Sequence, residues 1–116
     1  MEATTGHTGE TWGTAAERWE RAGRFFAAED HLTAAALLDG LVREFPDQNA
    51  ARLLLARAYY HSARLGRAEA ELRALIDRDR TDAYAHLLLG RTLERRGRAA
   101  EAAPYLRIAE LWGLSA

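Results

Sequence analysis

Few residues in this sequence are equipped for chemistry, and their spacing denies most of them a joint role. His7, His31, His61 and His86 are scattered. No His-x-x-x-His pair places two imidazoles on one helical face, as a zinc site would need. There is no cysteine, hence no disulfide, thiolate nucleophile or thiolate metal site. All 16 basic residues are Arg and none is Lys, which excludes a Walker-type phosphate loop and a Schiff base. Ser62 follows His61 directly, and helix neighbours point to different faces, so a Ser–His dyad is not expected. The run from Asp77 to Asp82 has the look of a calcium loop. It lacks the glycine at the sixth place and has Leu88 where the bidentate Glu belongs. The expectation is no catalysis, no metal, no cofactor and no small-molecule substrate. Arginines and aromatic rings remain as the residues with something to offer a partner.

Composition narrows the setting. A chain of 116 residues, 48% apolar and 28% charged, fits one soluble domain with a modest core. A formal net charge of −1 supplies no bulk field toward nucleic acid or an anionic membrane. Apolar stretches such as Leu53 to Ala56 are too short to span a bilayer, and the N-terminus lacks the layout of a secretory signal. A cytoplasmic protein is expected. The Arg-only, Ala-rich composition suggests GC-rich bacterial coding.

Residues 1–14 are rich in Thr and Gly without apolar periodicity and read as a mobile tail. From Ala15 onward the chain repeats itself. Ala34, Ala68 and Ala102 recur every 34 residues, as do Leu38, Leu72 and Leu106. Leu55 pairs with Leu89, and Tyr59 with Leu93, at the same step. Three units follow, 15–48, 49–82 and 83–116. In each, apolar or small residues at local positions 4, 7, 8 and 11 make one helical stripe, broken at Arg52. Positions 20, 24 and 27 make a second. Glu29-Asp30, Gly66 and Gly97 read as the breakers within units. Pro46-Asp47 and Thr81-Asp82 read as a stop and N-cap between them. The pattern predicts an all-α fold of six helices near 15–28, 32–45, 49–62, 67–79, 83–96 and 99–112.

These motifs resemble the tetratricopeptide repeat. Unit two carries Leu55-Ala56-x-x-Tyr59, Ala68, Leu72 and Leu75; unit three carries Leu89-Gly90-x-x-Leu93, Ala102, Leu106 and Ala109; unit one carries Phe25, Ala34, Leu38, Leu41 and Pro46. The resemblance implies an α-α superhelix, a solenoid of three helix-turn-helix repeats, acting as a protein-binding adaptor. Unit one allows two registers. In one, Trp19 and Phe26 face the groove; in the other, Trp19-x-x-Ala22-Gly23-x-x-Phe26 matches the family's pattern and both aromatics are core. Pro104 falls inside the sixth helix, near its start, where early N–H groups lack acceptors.

In stacked repeats the first helices line the concave side. Positions 2, 5, 9, 12 and 13 lie roughly 100 to 180° from the core stripe. In units two and three these include Arg57, Tyr60, His61, Tyr84, Arg91, Glu94 and Arg95, a surface of rings and guanidinium groups. It suits a protein or peptide partner, an acidic one by charge. The Lys and Asn that some relatives use to clamp a C-terminal carboxylate are replaced by Leu, Arg and Ala. Arg64, Arg67, Arg95, Arg96 and Arg98 gather on one edge and could meet RNA, but complementing helix C-termini explains them better, so nucleic acid is not the expected partner. The apolar end Leu111-Trp112-Gly113-Leu114 follows the third unit with no seventh helix. Either the end folds back or two chains meet there as a homodimer.

Overall fold

Three turns of one shape organise the chain. The computed structural model describes residues 13–115. Within them lie α1 (Ala15–Ala27), α2 (His31–Glu44), α3 (Asn49–His61), α4 (Leu65–Arg78), α5 (Ala83–Arg95) and α6 (Ala99–Leu111), with no strand among the described residues. Each bound falls within two residues of the sequence expectation. After α1, Glu29 N–H donates to the Phe26 carbonyl and Asp30 N–H to that of Phe25. Ala63 and Arg64 bond to Tyr60 and Tyr59 in the same way, and Gly97 and Arg98 to Glu94 and Leu93. This pair of bonds is the Schellman motif, which satisfies carbonyls left open at a helix end. It requires a left-handed residue: φ is 64° at Glu29, 61° at Ala63 and 78° at Gly97. Gly66, expected to be the breaker of unit two, instead lies inside α4; Ala63 makes the turn.

Other local expectations are corrected by geometry. The tail expected over 1–14 lies outside the described residues except at its end. There Gly13 is described, and Thr14 caps α1 in a reciprocal box with Glu17. Asp82 caps α5 by accepting from Ala85 N–H, but Asp47 caps nothing and pairs with Arg78 at 2.9 Å. Pro104 is the sixth residue of α6, beyond the four donors that lack acceptors. It removes one helical bond on an exposed stretch, where water can serve the freed Ala100 carbonyl.

Consecutive helices pack against one another from α1 to α6, and α3 also touches α5. Ala34, Ala68 and Ala102 are fully buried, as are Leu38, Leu55, Leu72, Leu89 and Leu93. A side chain larger than Ala at the repeated position would push the paired helices apart. The register of unit one is the ungapped one: Arg18 and Ala22 are buried, whereas Trp19 is 40% exposed.

Position 4 is polar in all three units, not apolar, because each side chain there finds a partner. Arg18 forms a two-pronged bond to Glu44 at 2.8 and 2.9 Å. This pairing holds the Glu44 carboxyl below the usual range. Arg52 bonds to Glu71 at 2.7 Å, and His86 Nδ1 lies 2.9 Å from the Asp82 carbonyl oxygen.

Candidate partner-binding groove

The groove is built from α1, α3 and α5, whose residues at equal register share one face. Where units one and two meet, that face carries a cluster of rings and charges. The Arg57 guanidinium lies 4.8 Å over the Phe26 ring. The His31 and His61 rings stack at 4.8 Å, and Phe26 meets both edge-on at 4.9 and 5.9 Å. Tyr60 stands edge-on to His61, and Arg95 from the next unit lies 4.7 Å over Tyr60 while donating to its carbonyl at 3.1 Å. Three repeats therefore meet through residues at positions 9, 12 and 13.

Positive charge gathers there. Burial, and then His31, Arg57 and Arg95, push the His61 pKa below its ordinary value, and Glu29 opposes them. Arg57, Arg91 and Arg95 have no carboxylate partner among the described residues; the Nε atoms of Arg57 and Arg91 are buried without a hydrogen bond, as are those of the ion-paired Arg18 and Arg52. Some arginines on other faces are paired, Arg18 with Glu44, Arg52 with Glu71 and Arg78 with Asp47. The terminal N–H groups of an unpaired guanidinium remain available to a carboxylate from another molecule.

The arginine edge resolves differently. Arg96 and Arg98 reach back to Glu69 at 2.7 and 2.8 Å, and Arg73 holds the same carboxylate at 2.9 Å. Burial pushes Glu69 up, but hydrogen bonds from Arg73 and Arg98 outweigh it and hold the carboxyl below its usual range. These arginines join unit two to unit three; complementing helix ends is not their main role.

Of the residues expected in the groove, Arg57, Tyr60, His61 and Arg95 come together. Arg91 is half-buried on the same face, while Tyr84 and Glu94 are exposed and make no ring contact or ion pair among the described residues. Phe26 joins the cluster, in keeping with the groove register. His31 was missed. It opens α2, and nothing in linear spacing puts it beside His61 at the end of α3; only the packing of α2 on α3 does. At the C-terminal end Gly113 terminates α6 at φ 89°, with Leu114 N–H bonded to the Ala109 carbonyl. Leu114 is half-buried, but Leu111 and Trp112 remain 84% and 57% exposed.

The tetratricopeptide repeat model matches residues 25–92, and the chain belongs to that family of protein-interaction modules. Solved structures share the fold. One MamA mutant superposes with a TM-score of 0.81 at 17% identity, over 87% of this chain and 74% of that one. MamA of Desulfovibrio magneticus RS-1 gives 0.78 at 20% identity, over 85% of this chain and 56% of the other. The chain thus spans from three quarters to little more than half of these structures. Comparison with curated proteins finds no match. Among the described residues no helix is long and apolar enough to cross a membrane, and no group of three or more His, Cys, Asp or Glu side chains could hold a metal.

Proposed function

We propose that this module is a non-catalytic adaptor that holds an acidic segment of another protein in its concave groove. One observation carries the reading: Arg57, Arg91 and Arg95 share the groove face, and none has a carboxylate partner among the described residues. A guanidinium offers several fixed donors to a carboxylate, and the adjoining rings of Phe26 and Tyr60 supply flat apolar area. Titration with acidic, neutral and basic peptides of equal length tests it. The acidic peptide binds tightest and weakens with added salt. A preference for the basic peptide ends the reading. Arg96 and Arg98 are engaged by Glu69, which counts against a nucleic-acid edge.

A second reading rests on Leu111 and Trp112, together with the half-buried Leu114. Two chains meeting at this end would form a symmetric homodimer and remove both exposed side chains from water. Sedimentation over a tenfold concentration range decides it. A strictly monomeric species excludes the dimer.

A further inference from the structure

The groove contains a second feature, at the opposite end of α1 from the ring cluster. Ala15, Ala16, Trp19, Leu41, Phe45 and Ala50 line an open slot, together with Ala51 and the single polar side chain of Gln48. Its floor, Leu41, is buried, while Trp19 and Phe45 are 40% and 44% exposed and face it with large apolar surface. The slot follows from the sequence. Position 2 of the repeat is Ala16 in α1 and Ala50 in α3, and two small side chains leave the space open. In α5 the same position carries Tyr84. The chain itself thus shows an aromatic side chain accepted at this register.

Slot and charge lie along one line. Trp19 and Phe26 are seven residues apart on α1, a rise of roughly 10 Å. Arg57 rests on Phe26, so its guanidinium stands about that far from the slot along the groove. An extended chain advances about 3.3 Å per residue and covers the gap in three residues.

We infer that the Trp19–Phe45 slot is an anchor site that takes one large apolar side chain, placed three residues from the acidic group of an extended partner segment held at Arg57. The inference rests on the proposed reading of the groove and adds its register. Positive charge alone would accept an acidic segment in any alignment; the slot fixes one. Complementary charge also selects the occupant, since an apolar residue without a neighbouring acid leaves Arg57 and Arg91 unsatisfied.

The test uses the full chain and three blocked peptides. The first carries Leu three positions from a Glu-Glu pair, the second replaces that Leu with Ser, and the third moves the Leu to one position from the pair. The first binds at least about tenfold tighter than the other two, as burying a leucine side chain allows. Ala50→Tyr, which copies the residue at the equivalent place in α5, abolishes that difference while leaving the Ser peptide's affinity unchanged. A thermal melt confirms that the variant folds; Ala50→Leu serves the same purpose if it does not. Equal affinity for all three peptides, or an advantage that survives in the filled-slot variant, overturns the anchor and leaves the acidic-segment reading intact. If no acidic peptide binds at all, the groove reading fails and the anchor with it.

Discussion

Arg57 of the second repeat rests its guanidinium on the ring of Phe26 in the first, 4.8 Å from the centroid. Arg95 of the third does the same to Tyr60 of the second, at 4.7 Å. The second and third repeats thus each lend a cation to an aromatic ring of the one before. This contact keeps the guanidinium groups on the groove face without neutralising them. Acidic side chains are used elsewhere, to tie the stack together.

Ala63 holds a left-handed conformation that an L-residue with a Cβ adopts at a cost of roughly 1 kcal/mol. Ala63→Gly stabilises the chain by about 0.5–1 kcal/mol, since Gly97 shows that the turn accepts glycine. A melting temperature lower than that of the parent would show the turn to be unstrained.

Gly90 sits where α5 and α6 approach closely. A Cβ there would lie 2.4 Å from Leu106 Cδ2 and 2.6 Å from its Cγ. Better helix propensity favours Ala by about 1 kcal/mol, but the overlap costs more. Gly90→Ala lowers stability by about 0.5–2 kcal/mol in urea unfolding. An increase would mean that Leu106 moves aside freely.

Glu69 ties unit two to unit three through Arg96 and Arg98. Its carboxyl titrates below its ordinary range, so the folded chain releases this proton more readily than the unfolded chain. The resulting stability is present above about pH 4.3 and is lost as pH falls through the lower folded value. Glu69→Gln costs about 1–3 kcal/mol at pH 7, leaving Arg73, Arg96 and Arg98 short of a charge. The gap between variant and parent narrows from pH 5 to pH 3. A constant gap would place the effect in packing.

The His61 pair works in the other direction. Folded His61 binds its proton more weakly than the unfolded chain does, because burial, His31, Arg57 and Arg95 all disfavour the cation. Stability therefore falls as pH drops below about 6.5, toward the lowered folded value. Melting temperature declines from pH 7 to pH 5.5, and His61→Phe, which keeps a ring against His31 and Phe26, flattens the decline. Parallel profiles would show that another group titrates there.

Much of the fold was legible because the repeat is written in small and large apolar residues at fixed register. Ala68 and Leu72 declare their burial through Ala34, Ala102 and Leu38. What resisted reading was whatever depends on pairing across repeats. Arg18 and Arg52 look misplaced in an apolar stripe until Glu44 and Glu71 stand opposite them. Arg96 and Arg98 look like a free basic edge until α4 presents Glu69. In the groove, Arg57, Tyr60 and Arg95 followed from counting around a helix. His31 did not, since it enters from a second helix. Gly66 misled because composition marks glycine as a breaker, whereas the hydrogen bonds of the turn select Ala63.

The central claim is that unpaired arginines on the groove face choose an acidic partner segment, and charge reversal tests it most directly. Calorimetric titration of one acidic and one basic peptide is measured on the parent and on the Arg57→Glu/Arg91→Glu double variant, with circular dichroism confirming the helices. The account predicts that the variant loses at least about tenfold in affinity for the acidic peptide and gains affinity for the basic one. Unchanged affinity for the acidic peptide in the folded variant would contradict it.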